Sequence, residues 1–170
     1  MAGPRRRQPD PLPHAPGAIV LDGANVIASA VPRALERLDL VCDWCHAWRP
    51  DLPVMVFIDR GTALHCRPAV QDVLRARCAD TTPGRPRYAV CPEGDVADFH
   101  VLGYAQQHRA LVVSNDRYFD FDELRRNVVT VQFSIRGNHL QVFEDATWFR
   151  WPGTAVRVPV ATLRELGRPR

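Results

Sequence analysis

At 170 residues and 46% apolar composition, the chain can bury one substantial core and is too short for two ordinary domains. No apolar stretch approaches the length of a membrane-spanning helix, and the Arg-rich start runs into prolines rather than an apolar leader, so a soluble, cytoplasmic protein is expected. The formal net charge of +3 excludes a strongly acidic or basic surface, but all 22 basic residues are arginine, whose planar guanidinium grips phosphate bidentately, so a nucleic-acid partner is permitted.

Residues 1–17 hold five prolines, three consecutive arginines and almost nothing that could be buried, and are read as a disordered arm before a single domain spanning 18–170. The ordered part opens on Ala18-Ile19-Val20-Leu21, an unbroken apolar run of the kind that forms a buried parallel strand, ending in Asp22-Gly23-Ala24-Asn25. From about Arg33 to Trp48, apolar residues fall at helical spacing, and Pro50 and Pro53 close the segment. Val54 to Ile58 is a second strand, followed by Asp59. A helix from Pro68 to Ala79 carrying Val70, Val73, Leu74 and Cys78 ends at the turn-rich stretch from Thr81 to Pro86.

Tyr88 to Cys91 is read as the third strand, and the next helix, from about Asp95 to His108, is expected to bury Phe99, Val101, Leu102 and Ala105. Ala110 to Val113 forms the fourth strand and runs into Ser114-Asn115-Asp116. A short helix over Asp120 to Arg126 and a fifth strand over Val128 to Val131 follow. Beyond Phe133, Leu140 to Phe143 and Val156 to Val158 read as edge strands, and Ala161 to Leu166 as a last helical turn or two. Strand and helix in alternation predict a three-layer α/β/α domain around a central, mostly parallel sheet of about five strands.

The five cysteines include Cys42 and Cys45 in a C-x-x-C-H spacing, but it falls late in a helical pattern, and no close second pair completes a zinc site. Free thiols, buried or half-buried, are expected.

The chemistry-bearing pattern is carboxylate. Asp22, Asp59 and Asp116 follow predicted strands, where a doubly wound sheet opens its ligand crevice. Asp95 and Asp98 lie in the first turns of one helix, three residues apart, and Asp120 follows Asp116 by four. A lone aspartate after a strand usually serves a turn or caps a helix, but capping does not require carboxylates from three separate elements to meet. Acids crowded into one crevice repel each other unless a cation neutralises them. Oxygen donors without a matching set of histidines or thiolates favour Mg²⁺, with Mn²⁺ as the alternative, over Zn²⁺. The chemistry such a site performs is hydrolysis of a phosphate ester.

On these residues the chain resembles the NYN branch of the PIN-like nucleases, and within it the Regnase-type (MCPIP-like) endoribonucleases. The matching motifs are the apolar strand with Asp22-Gly23-x-Asn25, the helix opening Asp98-Phe99, and Val112-Val113-Ser114-Asn115-Asp116 with Asp120 four residues on. The resemblance spans about Ala18 to Phe143. It implies a Mg²⁺-dependent endoribonuclease acting on single-stranded RNA, in which Asp22, Asp98, Asp116 and Asp120 form the acidic set and Asn25 supports it. One departure stands out: that pattern has two adjacent aspartates at the helix start, whereas Ala97 precedes Asp98 here, and Asp95, a turn earlier, is the candidate replacement.

Arg60, beside Asp59, and Arg117, between Asp116 and Asp120, are best placed to clamp phosphate, with Arg136 and also Arg85 and Arg87 as further candidates. Tyr118, Phe119, Trp148 and Trp151 offer rings for unpaired bases, although core packing is the commoner fate of such residues. Ala97 motivates a rival reading, an RNA-binding module whose catalytic site has decayed. A phosphatase using Asp22 as nucleophile would want a second aspartate two residues on and a lysine, and the chain has Ala24 and no lysine. The sequence leaves open whether the chain forms a homodimer and whether an inhibitory protein partner controls it.

Overall fold

Strand β1 (Ala18–Asp22) is buried along its whole length because it lies between two parallel neighbours and under helices on both faces, as its unbroken apolar run requires. The computed structural model describes residues 16–29, 35–126, 128–136 and 139–143. The elements expected over Val156 to Val158 and Ala161 to Leu166, together with Trp148, Trp151 and nearly all of the Pro/Arg-rich arm, lie outside the described residues.

The sheet has six strands rather than about five: β1, β2 (Val54–Ile58), β3 (Arg87–Val90), β4 (Ala110–Val113), β5 (Val129–Arg136) and β6 (His139–Phe143), in spatial order β3-β2-β1-β4-β5-β6. The first five run parallel, and β6 pairs antiparallel with β5. Helices α1 (Gly23–Ala28), α2 (Glu36–Trp48), α3 (Arg60–Leu64), α4 (Pro68–Ala79) and α5 (Ala97–His108) complete the α/β architecture.

Strand geometry divides the core. Ile19 and Leu21 of β1 point into a cluster with Leu38, Val41 and Cys45 of α2, whereas Ala18 and Val20 face Val101, Leu102 and Ala105 of α5. The order 3-2-1-4-5 reverses direction between β1 and β4, and a doubly wound sheet opens its ligand crevice at the carboxyl ends of that pair. Both strands deliver an aspartate there.

Several expectations need correction. Helix α5 starts at Ala97, not Asp95, and Phe99 is not in the core: its ring is 57% exposed. Helical spacing fixed the α5 stripe through Val101, Leu102 and Ala105, but Phe99 lies off it. Val73 of α4 is likewise exposed. In place of a helix over Asp120 to Arg126 the chain makes a single 3₁₀ turn, Phe119–Phe121, followed by turns. The cysteines are as expected: all five are free, three buried and two half-buried.

Gly23 is demanded by close approach. A Cβ there would stand 2.7 Å from Ile58 Cγ1 and 2.8 Å from the Phe57 carbonyl oxygen, and the latter belongs to a strand that cannot move aside. Gly23→Ala is therefore expected to cost about 2 kcal/mol, as overpacking of a dense interior does. A thermal melt checks this, with a drop of about 4–8 °C expected at this chain size.

Candidate functional site

The crevice is built on Asp22. Its backbone is extended and its side chain caps α1, with Oδ1 accepting from the Asn25 N–H at 3.0 Å. Oδ2 accepts from Ser114 Oγ at 3.1 Å and from the Tyr118 hydroxyl at 3.3 Å. Burial is the main reason that the Asp22 carboxyl is pushed above the usual carboxylate range; these three hydrogen bonds act against it, and the nearby charge of Asp116 adds to it.

Ser114 ties the two strand ends together. Fully buried, it donates to Asp22 and accepts from the Asp116 N–H at 3.0 Å. Asp116 Oδ1 in turn accepts from the Tyr118 N–H at 2.8 Å, a short Asx-type turn. That turn sets Tyr118 in the left-handed region, φ 50°, and swings its ring inward until it is 2% exposed with the hydroxyl on Asp22. Tyr118 is thus a core residue and no base-stacking ring. A left-handed non-glycine residue stores about 1–2 kcal/mol, and such residues gather at functional sites.

Asn25 also acts across the crevice. Its Oδ1 accepts from the Asn115 N–H at 3.0 Å, and Asn115 Oδ1 accepts from the Phe133 N–H of β5 at 2.9 Å. The turn that carries Asp116 is therefore pinned from both sides, by α1 and by β5. Asn25 is a positioning residue.

Asp98, in the first turn of α5, faces this assembly. Partial burial, with the charges of Asp22, Asp116, Asp120 and Asp59 in decreasing order, pushes its carboxyl up to about 6. Four carboxylates from β1, the turn after β4, the 3₁₀ turn and the end of β2 thus act on one group. Among the described residues, however, no three His, Cys, Asp or Glu side chains stand together at the spacing of a ready-made metal centre.

The remaining candidates are placed as follows. Asp95 is hydrogen-bonded to His100 Nε2 at 2.9 Å, and the charges that chiefly raise Asp98 are those of Asp22, Asp116, Asp120 and Asp59. Asp59, weakly signalled in the sequence, caps α3 through the Thr62 N–H and does contribute to Asp98. Arg60 opens α3 and pairs with Glu93 at 3.5 Å, beside a shallow depression shared with Asp59 and Asp95. Arg117 is exposed next to Asp116, its guanidinium 6.0 Å from the Phe119 ring centre. Arg136 ends β5, opposite His139, and no described bond ties it to the carboxylates. Arg85 pairs with Asp80, away from the crevice.

Sequence reading named Ser114 only within a motif and Tyr118 only as a ring for unpaired bases, and missed that both hold Asp22. A hydroxyl directly after a buried strand was the visible sign of the first, whereas the inward turn of the second depends on a backbone conformation that composition does not announce.

The fold has solved counterparts. The crystal structure of nuclear proteinaceous RNase P 2 (PRORP2) from A. thaliana matches with a TM-score of 0.58 at 16% identity, over 76% of this chain and 30% of that one. A structure of Arabidopsis thaliana nuclear protein-only RNase P 2 matches with a TM-score of 0.60 at 17% identity, over 81% of this chain and 31% of that one. The chain therefore spans under a third of either neighbour, and what the likeness shows is a shared α/β fold. No protein family and no curated protein matches the sequence. Within the described residues no helix is long and apolar enough to cross a membrane.

Proposed function

We propose that this chain is a metal-dependent endoribonuclease that hydrolyses phosphodiester bonds of single-stranded RNA. The observation that carries the reading is the convergence on Asp98 of negative charge from Asp22, Asp116, Asp120 and Asp59 at the sheet's switch point. Uncompensated carboxylates at a ligand crevice are a cost to the fold unless a cation relieves them. The Regnase-type motif spacing supports the same reading, as does the fold shared with proteins named as RNases P.

The donors are hard oxygens and fit Mg²⁺ or Mn²⁺. Asp22, Asp98 and Asp116 would hold the ion and Asp120 would orient the attacking water. When bound, the ion supplies positive charge to the phosphodiester and eases the loss of a proton from water. The chain supplies the rest. Asn25, Ser114 and Tyr118 fix the geometry of Asp22 and Asp116, and Arg117, next to Asp116, and Arg60, next to Asp59, would take neighbouring phosphates.

An RNase assay on mixed-sequence RNA with Mg²⁺, Mn²⁺ and EDTA arms tests the proposal. Fragments are expected in both metal arms and none with EDTA. Asp116→Asn should bring cleavage to background with an unchanged circular dichroism spectrum, since Asp116 is exposed and buries no charge. An active Asp116→Asn protein would remove the assignment. The rival, a binding module without catalysis, draws on Ala97 and on the lack of a ready-made ligand triplet among the described residues. It predicts RNA shifted on a gel but never shortened.

A further inference from the structure

Two phenylalanine rings stand exposed beside the carboxylates. Phe119 is 62% exposed, the highest of any large apolar side chain among the described residues, and Phe99 is 57% exposed. Phe99 directly follows Asp98, and Phe119 directly precedes Asp120.

Neither ring is loose. Phe99 packs edge-on against Phe121, with ring centres 5.2 Å apart and planes at 84°, which joins the first turn of α5 to the 3₁₀ turn. The Arg125 guanidinium lies 4.9 Å from the Phe119 ring centre. It is held there by Asp122 Oδ1, which accepts from its Nε at 2.8 Å, and by the Arg117 carbonyl at 3.3 Å. The Arg117 guanidinium is on the same ring at 6.0 Å and makes no ion pair among the described residues.

We propose that Phe99 and Phe119 are stacking platforms for unpaired nucleotides flanking the scissile phosphate, with Arg117 neutralising an adjacent phosphate and Arg125, tied to Asp122, backing the Phe119 ring. Aromatic faces interleaved with guanidinium groups suit a single-stranded polynucleotide, because every base offers a π face and each linkage a negative charge. In a duplex the base faces are already stacked, so the platforms select single strands. This inference rests on reading the crevice as a phosphodiester site.

The test is fluorescence anisotropy of a short labelled oligoadenylate RNA with the full chain, in EDTA and in Ca²⁺, beside a cleavage assay in Mg²⁺. Phe99→Ala and Phe119→Ala should each weaken binding about tenfold and the double variant more, while binding of a duplex competitor stays as in wild type. Phe119→Leu, which keeps apolar bulk without a π face, should behave as the alanine variant, and Phe119→Trp should restore affinity. Among the described residues Phe119 meets no other ring, so unchanged melting temperatures are expected for its variants, whereas Phe99→Ala should melt slightly lower through loss of the Phe121 contact. Wild-type affinity in the double variant overturns the proposal, as does absence of binding by the wild-type chain in both buffers. A changed oligomeric state in the double variant with RNA affinity untouched also overturns it, and marks a protein interface instead. Loss of binding in the phenylalanine variants of a chain that never cleaves RNA would support the platforms and sink the nuclease reading alone.

Discussion

Asp98→Asn is expected to abolish metal-dependent cleavage and, in the same protein, to raise the melting temperature at neutral pH in EDTA. An aspartate in the unfolded chain titrates near 3.9, whereas in the fold Asp98 is pushed up to about 6, first by burial and then by the charges of Asp22, Asp116, Asp120 and Asp59. A carboxyl raised in this way favours the folded state fully at pH below its unfolded value, and that contribution is lost as pH climbs through about 6. At pH 7 the ion-free protein thus carries a charge that folding disfavours, and asparagine removes it. Two pKa units amount to roughly 3 kcal/mol, but a half-exposed carboxyl is screened by water, so the gain should be about 1 kcal/mol. That is about 2–4 °C at this chain size. The difference between variant and wild type should shrink by pH 4 and vanish at about pH 3, below the titration of the unfolded aspartate. Mg²⁺ should raise the wild-type melting temperature and leave the variant unmoved. A variant that melts lower than wild type at pH 7 in EDTA would show that Asp98 is not crowded by its neighbours.

Asp22→Ala should both silence cleavage and destabilise the fold by about 2–4 kcal/mol, whereas Asp22→Asn should silence cleavage with little loss of stability. Alanine removes the α1 cap, for which about 1 kcal/mol is typical. It also strips the partner from the Ser114 hydroxyl, which is fully buried, and from the Tyr118 hydroxyl. A buried donor left without an acceptor costs about 1–3 kcal/mol. Asparagine keeps the shape and one carbonyl oxygen, which can go on accepting from both hydroxyls, so only the α1 cap is given up, the smaller of the two losses. Denaturant titration of the two variants separates the structural from the chemical duty of one carboxylate. Equal destabilisation by both would mean that the negative charge itself, and not the hydrogen-bond pattern, secures the strand ends.

How far the sequence discloses this protein varies by element. Long apolar runs and strong helical spacing were legible: β1, β2, β4 and α4 stand where their patterns put them. Short elements were not, for reasons specific to each. Helix α1 is one and a half turns, and its Asp22-Gly23-x-Asn25 opening is chemically the same as a turn. Strand β5 runs on to Arg136 through Val131, Phe133 and Ile135, an alternation of period two that was present to be read. Phe99 faces outward because it lies off the helical stripe through Val101, Leu102 and Ala105, which the spacing already carried. The carboxylates were legible as a set because strand-end placement in a doubly wound sheet is a rule of topology. Which of them close on Asp98 depends on side-chain geometry, and so Asp59 joins the group while Asp95 turns to His100.

Asp22 takes its three hydrogen bonds from Asn25, Ser114 and Tyr118, and none of them needs an ion. Many small metalloproteins lose their fold on chelation because the metal is their staple. Here the walls of the crevice are braced by the polypeptide itself, so the chain should stay folded and protease-resistant in EDTA, whatever the crevice binds.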